Sequence, residues 1–201
     1  KSGSNMVRGS GTLIVRANQP VWTYLLGSAA ENGFAVDYPH NNSSFQLSTR
    51  DLAALQNGFD LVQVGRSAPG NVMTLGDAVN NGALKADHSN PPAHTGLDSS
   101  FRDKTQFFAE EMTVWGDVQA PSDRLEFFAK DLTIQSRNIN YQNGTLDSGV
   151  TADTALFQVS EHMELTGWIK VTHGATIQVS KTQGANSFTS DSPSLARSSA
   201  D

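Results

Sequence analysis

Four acidic residues stand at matching places in a repeated pattern and are the first candidates for chemistry: Glu110, Glu111, Asp131 and Glu161. If the repeats stack, these side chains form a ladder of carboxylates. Such a ladder offers the oxygen ligands that Ca²⁺ takes, and paired carboxylates also serve the cleavage of polysaccharides. A solvated polar corner, in which Lys130 compensates the charge, is the simpler interpretation. We therefore predict ligand contacts here and no catalytic residue, with no cofactor and with Ca²⁺ as the one metal considered.

Two tryptophans form the second set of candidate ligand contacts. Trp115 and Trp168 lie one to three positions beyond equivalent apolar sites of the repeat, so we expect them near one face, as platforms for sugar rings. Packing in the core or at the end of a coil is the more common use of tryptophan, and both interpretations stay open. The histidines lack the spacing of a metal hydrolase, and there is no Gly-x-Ser-x-Gly elbow.

Composition excludes several classes of partner. The 201 residues carry a net charge of −6, and the 14 basic residues do not cluster, so nucleic acid and anionic membranes are poor partners. The absence of cysteine excludes disulfides and thiolate metal sites. No apolar run approaches the roughly 20 residues of a membrane span.

The elements that would position these side chains are copies of one octet. Phe107–Val114 reads Phe-Phe-Ala-Glu-Glu-Met-Thr-Val, and Phe127–Ile134 reads Phe-Phe-Ala-Lys-Asp-Leu-Thr-Ile. A looser third copy occupies Phe157–Leu165. Stacked copies would align like residues, namely Phe107 over Phe127, Met112 over Leu132 over Met163, and Val114 over Ile134 over Leu165. An inserted loop at 143–154 explains why the spacing rises from 20 residues (112 to 132) to 31 (132 to 163).

A repeat of this length predicts a β-solenoid, because one coil of short strands buries its apolar side chains only against neighbouring coils. A β-sandwich with chance similarity between strands is the alternative. Residues 21–26 are expected to be a strand or a short helix. Period-2 alternation and β-branched runs predict further strands at 12–16, 33–38, 45–47, 59–66, 72–76, 168–171 and 175–179.

One short helix interrupts the strands near 49–57. Ser48 has the residue type of an N-cap, and Asp51, three positions later, completes a capping-box pattern. Gly58 is expected to end the helix at the C′ position. Arg66, at the end of a Val-x-Val-Gly strand, is expected to cap carbonyl groups or pair with a carboxylate rather than to bind a ligand.

About 30 residues carry a resemblance to a known family. The matching positions are Leu47, Asp51, Leu52, Leu55, Asn57, Gly58, Phe59, Val62, Val64, Gly65, Arg66, Pro69, Gly70, Met73, Thr74, Leu75 and Gly76. This stretch resembles a repeat module of giant bacterial surface proteins of the filamentous-haemagglutinin-like class. The resemblance implies a right-handed parallel β-solenoid in a very large exported adhesin, located at the cell surface, and it brings no catalytic residues. The sequence departs from the pattern at 78–100, a Pro-, His- and Asn-rich insertion.

These observations predict an all-β chain with a flexible lead-in at 1–10, a solenoid at 11–181 with inserted loops at 80–104 and 143–154, and a loosely ordered Ser-rich tail at 182–201. The expected function is a non-enzymatic structural or adhesive segment of a cell-surface protein or filament. Its expected partners are neighbouring coils of the same or identical chains, surface carbohydrate or a host protein. The alternative is a carbohydrate-active β-helix enzyme, either a polysaccharide lyase or a glycosidase.

Overall fold

Alternation between inward and outward side chains defines the strands. A computed structural model of the chain describes residues 6–19, 23–27, 44–55, 57–76, 99–134, 137–141, 144–146, 149–180, 187–190 and 195–197. They form one helix, α1 (Thr49–Ala54), and the strands β1 (Thr12–Val15), β2 (Thr23–Leu26), β3 (Ser44–Leu47), β4 (Leu61–Gly65), β5 (Val72–Leu75), β6 (Ser99–Ser100), β7 (Thr105–Phe108), β8 (Glu111–Val114), β9 (Asp117–Ile134), β10 (Arg137–Tyr141), β11 (Gly144–Leu146), β12 (Gly149–Leu165), β13 (Trp168–Val179), β14 (Ser187–Ser190) and β15 (Leu195–Arg197). The predicted all-β class is confirmed.

The main sheet contains 13 strands, and every pairing between its described strands is parallel. The sheet curls, and the chain visits three stretches of it in turn. We call these stretches stack A, stack B and stack C, and one passage through them a coil. In the order of pairing, stack A consists of β1, β4, β7, 125–128, 154–159 and 174–179; stack B consists of β3, β2, β5, β8, 131–134, 162–165 and β14; stack C consists of β6, 117–120, 149–152, 168–171 and β15.

The predicted stacking of like residues is confirmed. Phe107 pairs with Phe127 and Phe127 with Phe157, and all three rings are fully buried. In stack B the same register aligns two further columns, Met112–Leu132–Met163 and Val114–Ile134–Leu165. Each such side chain contributes about 1.5–3 kcal/mol on full burial. Because equivalent positions of successive coils share a column, the core is continuous along the stacks.

The two predicted loops are partly strand. Residues 149–154 begin β12 and pair with both β9 and β13, with an irregularity in register between Ala152 and Thr154. The insertion that lengthens this coil lies earlier in the chain, where β10 and β11 form an antiparallel hairpin. At the end of the 80–104 loop, β6 joins stack C, and Phe101 and Asp103 are buried. Most of that loop, residues 80–98, lies outside the described residues.

Helix α1 begins where the sequence predicts and ends earlier. The Asp51 backbone N–H donates to the Ser48 hydroxyl oxygen at 3.2 Å, and the Ser48 backbone N–H donates to the Asp51 carboxylate at 2.9 Å, so the capping box is confirmed. The C-cap is Leu55 in an extended conformation, so the prediction of Gly58 as the C′ residue is wrong. The Gly58 N–H instead donates to the buried Asp103 carboxylate at 3.0 Å.

Other predicted strands differ from the structure in small ways. The 21–26 segment is a strand over its described part, β2. The two predicted strands at 168–171 and 175–179 join into one strand, β13. The predicted strand at 33–38 lies outside the described residues. In the predicted tail, β14 pairs with β12 and β15 pairs with β13.

Two glycines are required where coils turn against each other. Gly65 has φ = +87°, and a Cβ built there would lie 2.2 Å from the Phe108 carbonyl oxygen. Gly76 has φ = +91° and lies against the backbone of Gly116. A side chain at either position would meet both a disfavoured backbone conformation and a neighbouring coil.

Candidate functional site

The corner between stack A and stack B differs in length from coil to coil. Residues 66–71 connect β4 to β5, whereas only residues 109–110 connect β7 to β8. The next two corners, 129–130 and 160–161, are equally short, as judged by the strand pairing on either side of them. The corner at 66–71 is therefore the longest of these four, and we call it the long corner.

Hydrogen bonds hold the long corner in place. The Asn71 side chain is buried, and its amide donates to the Arg66 carbonyl at 2.9 Å. The Asn71 carbonyl accepts from the backbone N–H groups of Glu110 and Glu111 at 3.0 and 3.1 Å. The Gly70 N–H donates to the Glu110 carboxylate. Arg66 donates through its guanidinium to the Ala17 carbonyl at 3.4 Å, which confirms its predicted structural role.

A groove runs beside the long corner, along the direction in which the coils stack. Its volume is about 360 Å³, within the size range of small-ligand sites. We call it the corner groove, and it is lined by Ser67, Ala68, Pro69, Ala109, Glu110, Phe128, Ala129, Lys130, Gln158, Val159, Ser160, Glu161 and Ser180. It therefore contains two of the four predicted acidic contacts, Glu110 and Glu161.

Lys130 lies at the centre of the acidic cluster. Its Nζ is 3.6 Å from Glu161 Oε2, 3.7 Å from Asp131 Oδ2 and 3.9 Å from Glu110 Oε1. Three carboxylates against one ammonium leave this cluster with a charge of −3 + 1 = −2. The negative charges of Glu161, Asp131 and Glu110, with Glu161 contributing most, raise the pKa of Lys130 above its ordinary value of 10.5.

The fourth predicted acidic contact has a different position. Glu111 is exposed at the start of β8, where it pairs in register with Asp131, and it does not line the corner groove. Lys130 offsets the charge of one of the three carboxylates around it, as in the simpler interpretation of the sequence. Among the described residues, no group of three or more His, Asp and Glu side chains could hold a metal ion.

The two tryptophans lie at another corner, between stacks B and C. Both are half-buried. The backbone N–H of Trp115 donates to the Leu75 carbonyl at 2.9 Å, and the Lys170 Nζ lies 4.1 Å from the centroid of the Trp168 ring. Neither tryptophan lines the corner groove, so the structure does not join them to the acidic cluster.

Sequence reasoning missed the outer surface of stack A. Phe108 and Phe128 point outward and stack with ring centroids 4.8 Å apart and an interplanar angle of 7°. Beside them the nearly buried Glu126 carboxylate is bound by Arg124 at 2.5 Å, by Lys104 at 3.2 Å and by the Gln106 amide. The alternation of a strand carries the signal for both features, because residues next to the inward Phe107 and Phe127 must point outward.

A second polar pair lies at the corner between stacks C and A. The Nδ1 atom of His173 is 2.5 Å from the Asp153 Oδ1 atom, and the His173 side chain is 70% exposed. This exposed pair lies outside the corner groove. We regard it as a surface contact.

Comparison of the chain with family models, with curated proteins and with solved structures finds no match. None of the helical residues in the described ranges forms a helix with the length and apolar character of a membrane span. The function therefore has to follow from the strand stacks and from the corner groove.

Proposed function

We propose that the chain is a segment of a right-handed parallel β-solenoid in a large exported protein, where it acts as a non-enzymatic spacer and display surface at the cell exterior. The observation that carries the proposal is the in-register alignment of like residues in parallel strands, from Phe107 through Phe127 to Phe157. Such columns are typical of proteins built by stacking similar coils. The stack is expected to be rigid because backbone hydrogen bonds join every pair of neighbouring coils.

The ends of the strand stacks support a partner of the same kind. Among the described strands, β1 is the outermost strand of stack A at one end, and residues 174–179 of β13 are outermost at the other. Ile14 of β1 is 54% exposed. An outermost strand carries backbone groups that another strand can pair with, so neighbouring coils of the same or an identical chain are the natural partner.

The family resemblance supports a location at the cell surface. Four of its matching positions have structural roles in this chain. Val62 and Val64 are buried in the core, and Gly65 and Gly76 adopt positive φ where coils meet. A motif whose residues meet the needs of coil stacking fits a repeat module of an adhesin. The hairpin of β10 and β11 and the corner groove are the features that such a segment would display to surface carbohydrate or to a host protein.

Three measurements on the purified chain test this proposal. Negative-stain images and light scattering over a range of concentrations should reveal particles that lengthen by end-to-end addition. Monodisperse particles of one chain at high concentration would contradict the assembly of coils from separate chains. A wide-angle scattering profile without the spacing of about 4.8 Å between neighbouring strands would contradict the solenoid itself.

Enzymatic cleavage is the competing function, and it has a direct assay. The chain should bind to polysaccharide-coated or cell-coated surfaces without releasing reducing or unsaturated sugars. Sustained release that is lost in Glu110→Gln or Glu161→Gln would replace the adhesive proposal by a carbohydrate-active β-helix enzyme. Release that survives both substitutions would place catalysis elsewhere on the chain and would equally contradict the non-enzymatic proposal.

A further inference from the structure

The corner groove is long in the direction that crosses the strands. Its lining residues come from five successive corners, from Ser67 through Ala109, Ala129 and Ser160 to Ser180. With neighbouring strands about 4.8 Å apart, four such intervals span about 19 Å. A cleft of this length fits a short linear chain of linked units better than a single small molecule.

The chemistry of the lining is divided between the floor and the rim. The floor is apolar: the half-buried Phe128 ring supplies its accessible surface, and the buried Ala109, Ala129 and Val159 line it with little exposed area. Exposed hydroxyl and amide groups border it, from Ser67, Ser160, Ser180 and Gln158. A sugar unit has the matching character, because its C–H faces are apolar and its hydroxyl groups both donate and accept hydrogen bonds.

Backbone N–H groups at three corners of the groove already donate to carbonyls of adjoining coils: Ala109 to Phe128 at 3.2 Å, Lys130 to Glu110 at 2.9 Å and Ser180 to Val159 at 2.9 Å. Peptides that bind by adding a strand need such groups unpaired. The groups that remain directed at a ligand belong to side chains, which favours a saccharide over a peptide.

The charge of the groove selects among saccharides. The charged residues of the lining, Glu110, Glu161 and Lys130, sum to −2 + 1 = −1. Asp131, outside the lining, adds a negative charge 3.7 Å from the Lys130 Nζ atom, so a uronic acid or a sulfated sugar would be repelled. The Lys130 Nζ atom is 3.6–3.9 Å from the three carboxylates, beyond the usual 2.7–3.2 Å of a direct N–H···O bond. Each carboxylate has about four acceptor sites, so Glu110 and Glu161 retain capacity for a second ammonium group.

We propose that the corner groove binds an oligosaccharide whose sugars carry free amino groups. The ammonium group of one sugar lies against the solvent-facing oxygens of Glu110 and Glu161, on the side away from the Lys130 Nζ atom. The sugar ring lies on the half-buried Phe128 ring. Hydroxyl groups of that sugar and the next one bond to Ser160, Ser180 and Gln158. This inference rests on the proposed display function, since it names a ligand for the surface that the coils present.

Calorimetric titration of the full chain at pH 6 with a linear glucosamine trisaccharide tests the proposal. Its amino groups are charged at this pH, and the N-acetylated trisaccharide serves as the matched uncharged ligand. We expect the amine form to bind at least about 10-fold more tightly than the N-acetylated form, and a trimer of uronic acid not to bind, because two partly exposed charge pairs contribute about 1.4 kcal/mol together.

Four variants locate the binding. Glu110→Gln and Glu161→Gln should each weaken binding about 5-fold, and Ser160→Lys should weaken it further by placing a cation in the groove. Glu164→Gln removes the same charge from β12 outside the groove, and it should leave binding unchanged. Circular dichroism of each variant establishes that the strands remain intact.

Several outcomes would overturn the proposal. Equal binding of the amine and N-acetylated forms would contradict the role of the carboxylates, and equal loss in Glu161→Gln and Glu164→Gln would contradict the location. A lysine tripeptide that binds as tightly as the trisaccharide would show that charge alone is recognised. Absence of binding by a chain with intact strands overturns the groove proposal and leaves the solenoid scaffold standing, whereas a chain without stacked strands in scattering contradicts the scaffold.

Discussion

The rings of Phe127 and Phe157 lie 5.0 Å apart with an interplanar angle of 7°, although 157 − 127 = 30 residues separate them. Phe107 and Phe127 reach a similar distance, 5.1 Å, across 127 − 107 = 20 residues. The register between coils is therefore independent of coil length. What keeps it is the alignment of inward side chains, since a shift of one residue would turn every apolar residue outward.

Truncation of Phe127 should destabilise the fold far more than truncation of its neighbour Phe128. Phe127 is fully buried between two other rings, so Phe127→Ala should lower the free energy of unfolding by about 3–5 kcal/mol. Phe128 is half-buried and stacks on one ring outside the core, so Phe128→Ala should lower it by about 1–2 kcal/mol. Urea unfolding followed by circular dichroism measures both. Equal losses would contradict the inward and outward assignment.

The β10–β11 hairpin should be dispensable for the stacking of coils. Residues 135–148 connect Ile134 to Gly149, whereas the corresponding link from Leu165 to Trp168 contains only Thr166 and Gly167. Replacing 135–148 by Thr-Gly should change the free energy of unfolding by no more than about 1 kcal/mol, because loop closure depends weakly on loop length.

A matched deletion provides the control for that experiment. Removal of 149–152 takes a strand out of stack C between β9 and β13, and the chain should then lose its cooperative transition. If the hairpin replacement proves as damaging as this deletion, the hairpin is part of the core structure rather than an insertion.

Alanine at Gly65 should be more destabilising than alanine at Gly11, although both glycines have similar positive φ. The φ values are +87° and +74°, but a Cβ at Gly65 meets the Phe108 carbonyl and Met73, whereas a Cβ at Gly11 meets nothing within 4 Å. Gly11→Ala should therefore show only the backbone term of about 1–2 kcal/mol. Gly65→Ala should exceed about 3 kcal/mol, since neighbouring backbone must also move. Thermal unfolding of the two variants separates the cost of the backbone conformation from the cost of the steric clash. Equal losses of unfolding free energy would exclude the close approach of coils at Gly65.

Titration of Lys130 by NMR should give a pKa above 10.5, because the surrounding carboxylates raise it. The unfolded chain has the ordinary value, so the stabilisation from this cluster is fully present below pH 10.5 and is lost as the pH rises through the folded-state pKa. Glu161→Gln should lower the pKa of Lys130 towards 10.5, since Glu161 contributes most. Glu164→Gln is the control and should leave it unchanged. A pKa at or below 10.5 in the parent chain would contradict the charge cluster.

Local sequence patterns predicted the parts of this structure that depend on neighbouring residues. Two octets with the same pattern, identical at four of eight positions, were enough to align Phe107 with Phe127. The residue types of Ser48 and Asp51 were enough to place a capping box. The end of the helix was placed wrongly because Gly58 has a partner 45 residues away, the Asp103 carboxylate. Such a partner is invisible in a local pattern.

The corner groove was only partly predictable for the same reason. Recurrence of Glu110, Asp131 and Glu161 indicated that carboxylates would come together, and Lys130 was named as their counter-charge. The groove itself exists because a corner of six residues (66–71) adjoins corners of two residues. That difference becomes visible only after the coils are placed in order, and it was hidden by the insertion between Leu75 and Ser99.

Parallel pairing throughout the main sheet has a mechanical consequence. The hydrogen bonds between coils point along the stacking direction, so a pull that separates the first coil from the last acts on each row of bonds in turn. Extension would proceed one coil at a time, and each step would release the 20 residues between Phe107 and Phe127 or the 30 between Phe127 and Phe157. A stack of coils built in this way yields in steps under tension, and the hairpin of β10 and β11 gives one of its steps extra length.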